Sequence, residues 1–205
     1  MTDTIHLARH GQTVWHAENR YAGVSDIALT AVGREQAGAL AQWADAEDLG
    51  LVASSDLDRA VQTAAEVAAV TGLQHVVDHR LREVDFGAAE GMTRSEMAQA
   101  FPDDLRRFLE TPATTPLPGG EPGRDAVDRF LAVIDDLAQA SSRPILVVAH
   151  TTLIRLGLCA LLRLPLDDYR KRFPELGNGA VTSIRSVGPA NFSDGAALLR
   201  YNSPL

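Results

Sequence analysis

Two histidines, His10 and His150, each close a short apolar run, Thr4 to Ala8 before Arg9-His10 and Ile145 to Ala149 before the second. Runs of that kind read as buried strands, and in open α/β sheets ligands sit beyond the carboxyl ends of the strands. If both strands lie near the middle of one sheet, the two imidazoles meet at its edge. The helix after His150 would then aim free backbone N–H groups at the same spot, an arrangement that binds anions. Arg9 adjoins His10, and Arg59 opens the helix after the strand Leu51 to Ala53, so it too starts near that edge. Guanidinium forks offer bidentate donors to P–O oxygens. Together these groups suit phosphoryl chemistry. Singly, each has a plainer reading: Arg9-His10 as a surface pair, His150 as a core histidine, Arg59 as a surface arginine. A positive charge at a helix N-terminus, however, opposes the helix dipole.

The elements that must place these residues follow from periodicity. Thr30 is placed to cap a helix in which Ala37, Leu40, Ala41 and Ala44 share one face, ending near Gly50. A second helix carries Ala60, Thr63, Ala64, Val67 and Ala68 and stops at Thr71-Gly72, before a brief strand His75 to Val77. Thr93 and Glu96 have capping-box spacing. A long helix is expected from Gly123 to Ala140 with Val127, Phe130, Leu131, Ile134 and Ala138 inward, and another from Thr151 to about Leu164. Two strands, Val181 to Val187 and Ala196 to Tyr201, are joined by a polar turn containing Gly188-Pro189 and Asp194-Gly195. Strands alternating with helices predict an α/β fold, a three-layer α/β/α sandwich about a mostly parallel sheet. Residues 1–205 read as a single domain, and the proline- and glycine-rich stretch 102–123 reads as a helix around Asp103 to Leu109 and then a possible lid.

Composition narrows the partners. With 45% hydrophobic and 22% charged residues the 205-residue chain is globular in type, and its longest apolar runs fall far short of a bilayer span. A net charge of −8 argues against nucleic-acid and anionic-membrane surfaces. Cys159, the only cysteine, lies in an apolar run and reads as a buried structural thiol. With no export signal at the N-terminus, this predicts a cytoplasmic protein. Arg170-Lys171-Arg172 reads as a solvated helix end, His75 and His79 as solvent-facing rather than metal ligands, and His6 as structural.

Arg9-His10-Gly11-Gln12-Thr13, Ser54-Ser55-Asp56-Leu57-Asp58-Arg59-Ala60, Leu81-Arg82-Glu83 and Ala149-His150 occur in that order. Together they make the chain resemble the histidine phosphatase (phosphoglycerate mutase-like) superfamily from residue 5 to about 165. The resemblance implies that His10 attacks phosphorus through a ring nitrogen, its other nitrogen donating to a backbone carbonyl, with Gly11 turning the chain tightly after the strand. It implies that Arg9, Arg59 and His150 hold the non-bridging oxygens, and that Glu83 is the acid and then the base. The segment Glu83 to Gly91 offers Asp85 and Glu90 as rival carboxylates, read as loop acceptors. No metal or cofactor is implied, because cationic side chains carry the charge.

This sequence departs from the family pattern at three places. His16 stands where asparagine is common, and phosphate contact is still expected of it. Thr151-Thr152 replaces two glycines, with the backbone N–H of Thr151 still expected to serve and the side chains narrowing the entrance. Pro122 replaces a serine, which leaves the capping of the following helix open. The resulting expectation is a metal-independent phosphatase acting on a small-molecule phosphate ester through a phosphohistidine on His10. The alternatives are phosphoglycerate mutase-type transfer and a non-catalytic phospho-ligand binding module.

Overall fold

The computed structural model describes residues 1–188 and 191–205, so Pro189 of the expected polar turn lies outside the described residues. Alternation along the strands decides the layers. In β1 (Thr4–Arg9), Ile5 and Leu7 join one apolar cluster and Ala8 another; in β4 (Ile145–Ala149), Ile145, Val147 and Ala149 part from Leu146 and Val148 in the same way. β2 (Leu51–Ser54) repeats the pattern with Leu51 and Ala53 against Val52. Every residue of β2 and β4 is buried, as expected for strands covered on both faces.

The sheet has six strands in the order β3-β2-β4-β1-β5-β6, with β3 (His75–Val77), β5 (Val181–Ser186) and β6 (Ala196–Ser203) completing it. The pairs β3-β2, β2-β4 and β4-β1 are parallel, while β5 is antiparallel to both β1 and β6. Only β5 therefore runs against the rest, and the expected three-layer, mostly parallel α/β architecture is the one observed. On one face lie α1 (Ala31–Asp45) and α2 (Asp58–Thr71), burying Leu40, Ala41, Ala44, Ala60, Ala64 and Val67. On the other lie α5 (Gly123–Ala140) and α6 (Thr151–Leu161), reached through α3 (Arg94–Ala100) and α4 (Pro102–Glu110). α5 and α6 pack so closely that a Cβ on Gly157 would come within 2.3 Å of the Phe130 ring. A fully buried side chain such as Phe130 or Ile134 contributes roughly 1.5–3 kcal/mol.

Local signals set the element ends. The Thr30 hydroxyl accepts from the Gly33 N–H at 3.0 Å. Thr93 and Glu96 form the capping box reciprocally, at 3.2 and 2.6 Å. Gly72 ends α2 at φ 67, where glycine avoids the Cβ penalty. α1 stops at Asp45 rather than near Gly50, and the residues beyond turn Leu49 into the core under α1 and α2. α6 ends at Leu161, before Arg163 takes a positive φ of 57. α5 starts at Gly123 without a side-chain cap, the Pro122 carbonyl accepting from Asp125 and Ala126. Cys159 is fully buried, and burial pushes its thiol up to about 11. No helix among the described residues is long and apolar enough to cross a membrane.

Candidate active site

β1 and β4 are neighbours, with Arg9 opposite Ala149, so the residues that follow them are neighbours too. The His10 N–H donates to the Ala149 carbonyl at 3.1 Å, and the ring centroids of His10 and His150 stand 5.0 Å apart. Nδ1 of His10 lies 2.7 Å from the Gly11 carbonyl oxygen. A carbonyl only accepts, so Nδ1 carries the proton and the Nε2 lone pair is left free. Burial, then the Arg59 and Arg9 guanidiniums, hold His10 well below the ordinary imidazole value. The ring is thus neutral and fixed in one tautomer, the state a nitrogen nucleophile requires.

Gly11 is needed for a different reason from the tight turn expected of it. Its φ is not positive; instead a Cβ there would stand 2.2 Å from the Gly33 carbonyl oxygen, and one on Gly33 would stand 2.1 Å from that of Gln12. Two glycines face each other so that the loop after His10 lies against the first turn of α1. Thr63 also fixes this loop, its hydroxyl accepting from the Gly11 N–H at 3.1 Å.

Glu83 sits at the N-terminus of α6. Its Oε1 accepts from the N–H groups of Leu153 and Val84 at 2.8 and 2.9 Å, and its Oε2 from that of Thr152 at 2.8 Å. The donors that would make this helix end an anion site therefore hold a carboxylate of the chain itself, while Thr151, the first residue of the helix, lines the cleft. The backbone under Glu83 is pinned by Arg129, which donates to the carbonyls of Arg80, Arg82 and Glu83 and pairs with Glu121 at 2.7 Å. Arg82 forks onto Asp56 at 2.6 and 2.7 Å, tying this segment to the loop before α2. The rival carboxylates organise loops, as expected: Asp85 accepts from Gly87 N–H at 2.8 Å, and Glu90 from Gly23 N–H at 2.9 Å and the Ser25 hydroxyl at 2.7 Å.

A cleft of about 590 Å³ opens in front of these groups, lined among others by Arg9, His10, His16, Glu83 and Thr151. His150 and Arg59 are wholly buried and do not line it. His150 shares Nε2 with the Ser55 hydroxyl at 2.7 Å, while its Nδ1 is buried without a partner. Burial and the Arg59 charge keep this ring neutral as well. Arg59 reaches back from α2 to donate to the carbonyls of Ser25 and Gly23, both at 2.7 Å, which leaves its Nε buried and unpartnered. Arg9 gives Nη1 to the Leu176 carbonyl at 2.9 Å and Nη2 to Nε2 of His16 at 2.6 Å, and its Nε too is unpartnered. Burial lowers Arg9 to about 10. Because a guanidinium only donates, His16 accepts through Nε2 here and steadies Arg9; burial and the Arg9 charge push the imidazole down to about 4. His16 is therefore neutral at ordinary pH rather than an extra positive charge.

The stretch 102–123 does not line the cleft. It is packed down through buried Ala113 and Leu117, and the Asp167 carboxylate accepts from the N–H groups of Ala113 and Thr114 at 2.8 and 3.0 Å. The cleft walls come instead from residues 15–22 and 169–177. Among the described residues no three His, Cys, Asp or Glu side chains converge as a metal site. His75 is half-buried on Ser54, its Nε2 2.8 Å from the hydroxyl, and so is less solvent-facing than expected. Sequence reasoning gave no role to Ser55, Arg129, Arg155, Arg170 or Asn178, whose amide donates to the His10 carbonyl at 2.8 Å. Ser55 stands inside a recognised motif, and Arg170 was hidden in a basic run.

A neutral imidazole with a free nitrogen, backed by buried guanidiniums at the carboxyl edge of a parallel sheet, defines a phosphoryl-transfer class of α/β protein. Comparison with known proteins narrows the class: the histidine phosphatase superfamily (branch 1) pattern matches residues 5–193, and the chain belongs to that family. It is 37% identical over 171 residues to the glucosyl-3-phosphoglycerate phosphatase of Mycolicibacterium vanbaalenii, covering 80% of this chain and 76% of that one. It is 32% identical over 164 residues to phosphoserine phosphatase 1 of Hydrogenobacter thermophilus, covering 80% and 78%. The solved native structure of a mycobacterial glucosyl-3-phosphoglycerate phosphatase superposes with a TM-score of 0.89 at 30% identity, over 99% of this chain and 100% of the other.

Proposed function

We propose that this chain hydrolyses a small phosphate monoester through a phosphohistidine formed on Nε2 of His10. The observation that carries the reading is the Nδ1 contact with the Gly11 carbonyl, which leaves Nε2 as the free nucleophilic nitrogen facing the cleft. In the first step the lone pair attacks phosphorus, the ester P–O bond breaks, and the departing alkoxide takes a proton from Glu83. Oε2 accepts only one N–H, so it has a lone pair left to carry that proton. In the second step Glu83 takes a proton from water as its oxygen attacks phosphorus, the P–N bond breaks, and phosphate leaves.

The three non-bridging oxygens need donors, and Nε of Arg9 and Arg59 and Nδ1 of His150 are three of the four buried side-chain nitrogens without a partner among the described residues, the fourth being Nε of Arg155. The Thr151 N–H completes the phosphate-binding set in this reading, and His16, expected to touch phosphate, instead accepts from Arg9 and acts by positioning that guanidinium. The cationic side chains supply the charge stabilisation that phosphoryl transfer demands. A net charge of −8 supports a small ester over nucleic acid or a membrane surface, and the single buried thiol fits a cytoplasmic setting.

The test is to quench turnover and probe for an acid-labile, alkali-stable phosphoryl group on His10. It should form in wild type and be absent in His10→Ala. Cleavage of an aryl phosphate by His10→Ala at the wild-type rate would overturn the assignment. With phosphoglycerate as substrate, release of inorganic phosphate is expected; positional transfer dependent on bisphosphoglycerate would mean a mutase instead.

A further inference from the structure

Among the described residues four arginines line the cleft. Arg9 gives both terminal amino groups away, to Leu176 and His16, and keeps only Nε, while Arg20 gives its donors to Glu18, Glu96 and the Gly91 carbonyl. Arg155 gives Nη2 to the Pro174 carbonyl and keeps a buried, unpartnered Nε. Arg170 keeps both terminal amino groups. Its Nε donates to the Tyr169 hydroxyl at 2.9 Å, and its Cζ stands 4.6 Å from the centroid of the Phe108 ring. Among the described residues neither terminal amino group of Arg170 has a hydrogen-bond or carboxylate partner, whereas the adjacent Lys171 and Arg172 both turn to Asp168, at 3.0 and 3.7 Å. The guanidinium thus lies over the Phe108 ring and is tied to the Tyr169 hydroxyl, with both terminal amino groups unused.

Its position identifies the part of a substrate it would meet. Tyr21 packs edge-on to Phe86 at 4.9 Å, and both line the cleft with Arg170, while buried Phe108 backs Tyr21 at 6.3 Å and Arg170 at 4.6 Å, so this wall runs back to the Glu83 segment. Glu83 is where the leaving alcohol takes its proton, so the alcohol portion lies along this wall while the phosphoryl group lies at His10. We infer that Arg170 is an anchor for a carboxylate on the alcohol portion of the substrate, making the preferred ester a phosphorylated hydroxy acid. A single fork with two parallel donors matches the two oxygens of one carboxylate. The other carboxylates of the cleft, Glu83 and Glu175, would repel a second anion, so its place is beside Arg170.

The inference rests on the phosphatase reading above, and two ester probes separate the two. 3-Phosphoglycerate and glycerol 3-phosphate differ only in a carboxylate against a hydroxymethyl group. Wild type should favour the former in kcat/KM. Arg170→Gln should lower that preference about 10- to 100-fold, mainly through KM, as loss of a charged hydrogen-bonded pair implies. Arg170→Lys should fall between, which guards against a variant that merely folds poorly. Equal losses on both esters, or no wild-type preference, would overturn the inference. A larger preference for propane-1,3-diol bisphosphate would overturn it in favour of a second phosphoryl group. If wild type turned over neither these esters nor an aryl phosphate, the phosphatase reading would fail. Calorimetric Kd values for the same two esters would still read the anchor, tighter for the carboxylated one and levelled by Arg170→Gln.

Discussion

The hydroxyl of Ser55 lies 2.7 Å from Nε2 of His150, and both residues are fully buried. Ser55 can donate to this nitrogen, which leaves Nδ1 of His150 to carry the ring's proton as a donor with nothing yet to bind. Ser55→Ala removes that control of the tautomer. We expect kcat/KM to fall about 10-fold, the worth of one buried hydrogen bond, with a matching rise in the inhibition constant of inorganic phosphate. Ser55→Thr keeps the hydroxyl and should restore much of both. Normal phosphate inhibition in Ser55→Ala would show that His150 does not depend on this serine.

Glu83→Gln tests a residue that caps α6 and is, in the proposed reading, the acid. An amide cannot accept at both positions, so one of the N–H groups of Thr152 and Leu153 loses its acceptor. Stability should fall by about 1–3 kcal/mol, read from denaturant unfolding. On alkyl phosphates the rate should fall about 10²- to 10⁴-fold. Aryl esters with good leaving groups need no acid and should suffer less; an equal loss on both would count against the acid role.

The imidazoles make stability depend on pH. His16 is lowered to about 4, and His10 and His150 lie well below the ordinary 6.5. Below about pH 6.5 the unfolded chain takes up protons that the folded chain refuses. Stability is therefore full above that pH and declines as pH drops toward 4. Melting temperatures should be flat from pH 8 to 7 and then fall. His16→Asn removes one of the three groups, so its proton uptake on unfolding at pH 5 should be about one lower. An unchanged slope would mean that His16 titrates normally in the folded protein.

Gly33→Ala reads the contact between α1 and the loop after His10. The added Cβ would stand 2.1 Å from the Gln12 carbonyl oxygen, so backbone must move. Overpacking of this kind costs about 1–3 kcal/mol. The displacement reaches His10 through Gly11, so activity should drop by more than the folded fraction does. Full activity in a destabilised variant would separate the glycine pair from the placement of His10.

The sequence displays much of this because its signals are local or periodic. Thr30, the Thr93-Glu96 pair and Gly72 mark helix ends by their own hydrogen bonding and φ, and the β4 run is too apolar to lie anywhere but inside. The pairing of His10 with His150 followed from two strands ending alike. Less legible was whatever depends on distant segments meeting. That Glu83 caps α6, that Arg129 supports Glu83, and that 169–177 rather than 102–123 walls the cleft are tertiary facts without a nearby sequence partner. Gly11 shows the limit most plainly. A glycine after a strand suggests a turn, whereas its reason is Gly33, in another element.

The carbonyl of His10 is held by Asn178 and the side chain of Arg9 by Leu176, hydrogen bonds spanning 168 and 167 positions. Closing loops of that length costs entropy before any contact returns it, so such pairings form late. In refolding, far-ultraviolet circular dichroism should recover ahead of hydrolytic activity, with the cleft around His10 assembled last from segments 167 and 168 positions apart.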